Sequence, residues 1–328
     1  MAATRPTYVD LANRLDEKDK IAMIIELLHD TNEILDDMVP IEGNLLTGHR
    51  TTVRTGLPSV TWRLLNYGVQ PSKSQTLPIT DVTGMLEAYA EVDKALADLN
   101  GNTAEFRLSE DIAFLESMNQ EMASTIFYGN VAVDPEKFTG FAPRYASLST
   151  DIDKSGYNII DAGGIGPDNT SIWLIVWGNS TAHAIYPKGS KMGFTHEDLG
   201  QQTLTDAAGG RYEGYRTHYK WDIGLTVRDW RYVIRIANID WSAIITDTSA
   251  PDLVKFMIDA AEQIPNLARG NAAFYMRREI RTALRHQIRT DTNVNLTVET
   301  VEGRRVLSFD EIPVRRVDAL INTEARIT

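Results

Sequence analysis

The densest group of chemically capable side chains is His196-Glu197-Asp198, in GFTHEDLG. Adjacent residues do not share a face of a helix or strand, so three in a row make a poor metal or acid/base set. The segment reads as a loop leading into a short turn with solvated charges. Asp151 and Asp153 are two apart, a spacing that puts both carboxylates on one face of a strand. Such pairs serve glycoside hydrolysis or bind calcium. No acidic loop of the Asp-x-Asx-x-Asx-Gly kind follows, however, and STDIDKSG reads as an exposed turn. Gly163-Gly164-Ile165-Gly166 is followed by Pro167-Asp168-Asn169 and a strand, not by the helix N-terminus that a phosphate cradle needs. Ser180, in GNSTA, lacks the second glycine of a nucleophile elbow. The histidines at 29, 49, 183, 196, 218 and 286 show no ligand spacing. Tyr212, Tyr215, Tyr219 and Trp221 lie among Arg211, Arg216 and Lys220. They suit a sugar platform or a base-stacking surface, or one packed face of a sheet.

None of these sets assembles the parts of a catalytic site, and no cofactor or metal is expected. The 328 residues contain no cysteine, which excludes disulfides, thiolate chemistry and cysteine-based zinc sites. A formal net charge of −12 argues against a surface that coats nucleic acid, since phosphate neutralisation needs Lys and Arg on the contact face. With 43% apolar residues a sizeable core can form. No apolar run approaches the ~20 residues needed to cross a bilayer; the longest, SIWLIVW, has the length of a strand. The N-terminus has no apolar signal core and becomes charged early. No membrane partner is expected.

Charge distribution is more informative. From Gly43 to Thr80 there is no Asp or Glu, while Arg50, Arg54, Arg63 and Lys73 sit on the strand-like background TTVRTGLPSVTWRLLNYGVQ, with Trp62 in its middle. Immediately before lies an acidic segment, Asp10 to Glu42, that includes Asp16, Glu17 and Glu33. A basic ribbon beside an acidic arm suits reaching for another copy of the chain. Arg278, Arg281 and Arg285, with Arg289, fall near one face of a helical region. Three readings compete there: a solvated face, a partner for an acidic neighbouring subunit, or a lining for packaged DNA. The subunit contact is favoured, because Arg pairs bidentately with carboxylates and the chain has acids in excess.

The elements that must position these residues follow from periodicity. Residues 8–38 read as helix, with Ile21, Ile24, Ile25 and Leu28 at helical spacing; the apolar face packs on its own core or docks on another subunit. Residues 49–80 read as a long two-stranded excursion, interrupted at Gly56-Leu57-Pro58 and Tyr67-Gly68. An isolated ribbon of this kind is marginal in water, so support must come from outside the monomer. MLEAYAEVDKALADL predicts a helix with Met85, Leu86, Tyr89, Val92 and Leu96 on one side. Residues 103–128 predict a rod of roughly 35–40 Å, ended by Gly129-Asn130. SIWLIVW, HAIYP, YRTHYKWDIGLTV and RYVIRIANI predict strands, and residues 252–264 and 271–289 predict helices. NLTVETVEGRRVLSF predicts a hairpin turning at Glu302-Gly303, and VRRVDALI a last strand.

Taken in order, several segments resemble one family. PSVTWRLLNYGVQPSKSQT follows the acidic arm; a long helix ends in IFYGN before DPEKFTGFAPRY; SIWLIVWGNSTAHAIYPKGSKMG, YKWDIGLTVRDWRYVIRIANI and IPVRRVDALINTEARI come later. The combination is similar to the major capsid proteins of short-tailed bacteriophages of the epsilon15 and Bordetella phage BPP-1 type, over nearly the whole chain. The resemblance implies an α+β protein with the Hong Kong 97-type capsid fold, in a permuted chain order. By position, residues 1–48 match the N-terminal arm and 49–90 the extended E-loop. Residues 91–150 and 205–245 match the peripheral domain, with 103–128 as its spine helix, and 151–204 and 246–328 the axial domain. It further implies hexamers and pentamers that close an icosahedral head around phage double-stranded DNA, a separate scaffolding protein, a portal at one vertex, a decoration protein, and packaged DNA at the inner face. No lysine–asparagine crosslink pattern is found around Lys73. The inter-subunit candidates are Arg50, Arg54, Trp62, Arg63 and Lys73 of the ribbon, Asp10, Asp16, Glu17 and Glu33 of the arm, and Arg278, Arg281 and Arg285. The rival reading is a carbohydrate-active enzyme or sugar-binding module carried by Asp151, Asp153, Glu197 and the tyrosine–tryptophan cluster.

Overall fold

The apolar run SIWLIVW lies at the centre of the molecule. Its strand, Asn169–Trp177, is buried along its whole length. Alternation along a strand sends successive side chains to opposite faces. Trp173, Ile175 and Trp177 join one core with Phe127, Phe141 and Tyr145. Ile172, Leu174 and Val176 join a second core with Met257, Phe274, Ile280 and Leu284. A strand that serves two cores must be apolar at every position, which is why its sequence shows no alternation.

A computed structural model describes residues 32–101, 103–246, 250–290, 296–301 and 304–328. In chain order its elements are α1 (Ile34–Asp37), β1 (Pro40–Glu42), β2 (Gly48–Gly56), β3 (Gln75–Asp93), α2 (Lys94–Ala97) and α3 (Thr103–Tyr128). Then come β4 (Ile159–Asp161), β5 (Asn169–Trp177), β6 (Ala182–Tyr186), β7 (Phe194–Thr205), β8 (Arg211–Val227) and β9 (Val233–Asp240). The chain continues through α4 (Trp241–Thr246), α5 (Leu253–Gln263), β10 (Asn271–Met276), α6 (Arg278–Thr290), β11 (Leu296–Val301), β12 (Arg304–Phe309) and β13 (Ile312–Arg316). One sheet runs β11-β12-β13-β10-β5-β6-β8-β3-β2, with β7 on β8, β9 on β5, β4 on β9 and β1 on β6. Helices α5 and α6 contribute Met257, Ala260, Ile280 and Leu284 to one core; the C-terminal part of α3 contributes Met122, Ile126 and Phe127 to the other.

The long helix of residues 103–128 has the bounds that its sequence predicts. The C-terminal hairpin pairs β11 with β12, Val301 opposite Arg304; the turn expected at Glu302-Gly303 lies outside the described residues. Four expectations are corrected. MLEAYAEVD is strand, not helix: β3 runs to Asp93 and pairs antiparallel with β8, Ala88 opposite Tyr219 and Val92 opposite Tyr215. Its apolar residues fit both periods. Cross-strand packing of Leu86, Ala88, Ala90 and Val92 decides for period two and leaves Met85 and Tyr89 exposed. Helix begins only at Lys94, where the Asp93 carboxylate accepts from the Ala95 amide.

GFTHEDLG is strand β7, not a loop, because β8 is long enough to pair with both β3 and β7. Asn271–Met276 is strand, not the first turns of a helix. It lies between β5 and β13 and pairs with both, and helix starts at Arg278. The last strand ends at Arg316, short of the expected VRRVDALI. Of the helix expected over residues 8–38, most lies outside the described residues; the described remainder holds the short α1.

The C-terminal tail is threaded into the first core. Arg235 and Glu324, both buried, pair at 2.8 Å. The Ser171 hydroxyl donates to the same carboxylate, and the Tyr128 hydroxyl donates to it at 2.6 Å. Arg235 also donates to the Tyr145 carbonyl at 2.9 Å and lies over the Trp173 ring, 5.0 Å from its centroid. Asn238 exchanges two hydrogen bonds with the Ile327 backbone, at 2.8 and 2.9 Å. Every polar atom of the guanidinium–carboxylate pair thus has company, the condition under which a buried ion pair is tolerated.

Candidate assembly surfaces

Strands β2 and β3 leave the body as a two-stranded ribbon, paired from Gly48↔Val82 to Arg54↔Thr76 with an irregularity between Arg54 and Gly56. Beyond it, residues 57–74 carry no strand. Residues 57–73 are all exposed. Trp62 is 101% exposed, and Leu57, Val60, Leu64, Leu65 and Tyr67 are exposed around it. The tip is tied by Ser72, whose hydroxyl donates to the Ser59 carbonyl at 2.8 Å. With Val69, seven large apolar side chains on one excursion are the mark of a surface that another molecule covers. Covering each would contribute about 1.5–3 kcal/mol. Arg50, Arg54, Arg63 and Lys73 are exposed on the same excursion. None of the four forms an ion pair among the described residues.

The ribbon's root is polar and buried. His49 and Asp81 face each other across the hairpin and both are buried. Arg144 donates to Asp81 at 2.8 Å and to the Leu225 carbonyl at 3.1 Å, tying the ribbon to β8. Arg228 lies 2.9 Å from His49 Nε2, and the His49 and His183 rings are 5.8 Å apart, edge to face. Burial pushes the His183 imidazole down to about 4, with the Arg228 charge adding to it. Burial and then Arg228 also lower His49, while Asp81 opposes. Both rings are therefore neutral at neutral pH. At Gly48 a Cβ would stand 2.1 Å from the Asp81 carbonyl oxygen, so the strands approach too closely there for any other residue. Between ribbon and body lies an open groove of about 1410 Å³, lined by Arg50, Arg54, Arg228, Arg231 and Arg269 among others, with Asp153 and Asp229 as its acids.

The other expected contact residues are placed as follows. Asp10, Asp16 and Glu17 lie outside the described residues. Glu33 is engaged within its own chain: its carboxylate accepts from the Arg316 amide at 3.1 Å. Asp37, at the same docking point, accepts from Arg315 at 2.9 Å and from the Tyr275 hydroxyl at 2.8 Å. Burial and then Asp37 raise the Tyr275 hydroxyl well above its ordinary range, so it stays a donor. Arg278 makes a bidentate pair with Asp318 of the same chain, at 2.9 and 2.8 Å, and Arg316 shares that carboxylate. Arg281 is half-buried; desolvation lowers its pKa, Glu33 opposes, and Arg285, Arg316 and Arg315 lower it further. Arg285 is exposed.

The residues of the rival enzyme reading form no site. Asp151 and Asp153 occupy an exposed turn, where the Asp153 amide donates to Asp151 at 3.2 Å. Glu197 lies on β7. Tyr219 belongs to a packed cluster with Ala90 and Met118, against which Trp221 also packs, and Tyr215 packs beside Val92 and Phe106. Among the described residues no three His, Asp or Glu side chains are grouped to hold a metal. No described helix is long and apolar enough to cross a membrane.

Sequence reasoning missed the ribbon's root and the C-terminal clamp. The root had a signal: in a hairpin centred near residue 65, position 49 must oppose 81. The pairing of Arg235 with Glu324, 89 residues apart, had none.

The family profile described as "Major capsid protein GP7" matches residues 16–328. A chain in the structure of bacteriophage epsilon15 is 39% identical, with a TM-score of 0.78, covering 100% of this chain and 99% of that one. The capsid of bacteriophage JBD30 is 9% identical, with a TM-score of 0.50, covering 89% of this chain and 92% of that one, and shares the fold. No curated protein sequence matches. The mixed helix-and-sheet architecture is thus the Hong Kong 97-type capsid fold, and the enzyme and sugar-binding readings have no support. With the family profile spanning all but the first 15 residues, this chain belongs to the GP7 family of major capsid proteins, the self-assembling subunits of the phage virion's icosahedral shell.

Proposed function

We propose that the chain assembles as hexamers and pentamers, with each cationic ribbon laid over the acidic surface of a neighbouring copy. The observation that carries this reading is the excursion 57–73, exposed at every residue and apolar at its tip. The ribbon region brings four positive charges and no negative one. Taking those four from the net −12 leaves −16 on the rest of the chain. A sister subunit is therefore an electrostatic complement to the ribbon, and head-to-tail contacts of this kind close into rings. Many modest contacts repeated around a shell add up to a stable particle.

The segments 1–48, 49–90, 91–150 with 205–245, and 151–204 with 246–328 serve as arm, E-loop, peripheral domain and axial domain, in a permuted order of the fold. A separate scaffolding protein directs closure, a portal occupies one vertex, a decoration protein binds outside, and packaged double-stranded DNA lies against the inner face. The role is structural and needs no catalysis. Electron microscopy of the expressed chain, with and without a scaffolding protein, tests the reading. Shells of uniform diameter are expected; a monodisperse folded monomer under both conditions would overturn it.

A further inference from the structure

The groove between ribbon and body has a strand edge for one wall. Thr51, Thr52, Val53 and Arg54 all line it. Neighbouring strand residues send their side chains to opposite faces, so a wall of consecutive residues is the edge of β2. Among the described residues that edge has no second strand: β2 ends the sheet and pairs with β3 alone. In an antiparallel pair, alternate residues turn both backbone groups away from the partner. On β2 these are the even-numbered ones. The Gly48 carbonyl accepts from the Leu45 amide at 3.1 Å. The Asn44 side chain accepts from the Arg50 amide and donates to the Arg50 carbonyl, both at 2.7 Å. Asn44 thereby stands where a strand partner would. For Thr52 and Arg54, next in that series, no described residue does the same.

The facing wall is cationic. Asp229 is taken up by Arg231, which donates to it at 2.9 and 2.8 Å. Arg228 donates to the Asn179 carbonyl at 2.8 Å and lies against the neutral His49 ring. Arg269 donates to the Ser180 hydroxyl at 3.0 Å and lies over the Tyr232 ring. Neither Arg228 nor Arg269 meets a carboxylate among the described residues. With Arg50 and Arg54 on the ribbon, four guanidinium groups line the groove against the carboxylate of Asp153. Two further donors in the lining, the Thr51 hydroxyl and Arg228 Nε, are buried with no partner among the described residues. Guanidinium groups in this surplus are the recognition chemistry for carboxylates. Leu57, Ile152 and Trp230 lie between the charges, which suits a peptide better than a phosphate backbone. The chain's net charge of −12 also disfavours nucleic acid.

We propose that an extended acidic segment of a second copy enters this groove and adds a strand to β2. Its backbone pairs with Thr52 and Arg54, and its carboxylates meet Arg228 and Arg269. Charge makes a second copy the occupant, since each copy carries the −16 left outside the ribbon region. The occupant rests on the assembly reading, but the two can fail separately. The unassembled full chain is tested with a fluorescein-labelled peptide of alternating Glu and Val, read by anisotropy. Thr52→Pro removes the amide that faces the groove and keeps the ladder to β3; it is expected to weaken the peptide at least tenfold. Arg269→Gln is expected to do the same, and decides the matter if Thr52→Pro does not fold. Lys255→Gln, outside the groove with the same change of charge, is expected to bind as the parent does. No binding by the parent, or equal binding by all variants, overturns the proposal. So does a single-stranded oligonucleotide that binds more tightly than the peptide. In shells, the cysteine-free chain allows Asp153→Cys to carry a benzophenone. It should photo-link to an acidic stretch of another copy; a link within one chain or to a different protein overturns the proposal. A chain that binds the peptide but never forms shells would overturn the assembly reading, not the chemistry of the groove.

Discussion

Glu324 stands four positions before Thr328 and yet ties the long helix α3, β5 and β9 together through Tyr128, Ser171 and Arg235. Glu324→Ala would leave the Arg235 guanidinium buried without its counter-ion. A loss of about 3–5 kcal/mol is expected, read by urea unfolding of the subunit. His183 gives a pH signature. Its folded pKa of about 4 lies below the value of about 6.5 in an unfolded chain. Between those values the unfolded state binds the proton and the folded state does not. Stability is therefore undiminished above about pH 7.5 and is lost as pH falls towards 4. His183→Leu is expected to flatten that part of the stability profile relative to the parent, by up to about 3 kcal/mol at pH 4; overlapping profiles would count against a neutral buried imidazole. Neither residue stands out in the sequence. One looks like part of a polar tail, the other like a polar interruption of a strand, and both take their roles from contacts made far along the chain.

At the scale of elements, legibility followed the clarity of the period. The helix of residues 103–128 and the doubly buried strand SIWLIVW each admit one reading and were legible. MLEAYAEVD fits a helix and a strand alike, and only the antiparallel partner β8 decides between them. NAAFYM reads as the start of the helix that follows, because nothing local announces that β5 and β13 will flank it. The ribbon is legible from its missing acids and its breakers, while the polar bolt at its root, His49 opposite Asp81, shows only in the structure. The ribbon's cations can be tested by reversal. Arg54→Glu with Arg63→Glu touches only exposed side chains, so the subunit should keep its parent circular dichroism and melting temperature. Shell yield by electron microscopy should fall at least tenfold. Normal particles from this double variant would remove charge pairing from the account.

The described residues form a well-packed body from which an uncovered ribbon extends. Two cores share β5, and the C-terminal tail is bolted into one of them. The ribbon, by contrast, holds out exposed apolar and cationic side chains with no described residue covering them. Membership of the GP7 family and the likeness to a chain of bacteriophage epsilon15 explain why such a part exists: the subunit is one piece of a shell. Hydrogen exchange at residues 57–74, compared between unassembled subunits and closed shells, tests this most directly. Amides there are expected to exchange as freely as in a peptide before assembly and to slow by at least a hundredfold within the shell. Equal exchange in both states, or a segment already protected in the lone subunit, would contradict the claim that a sister molecule completes it.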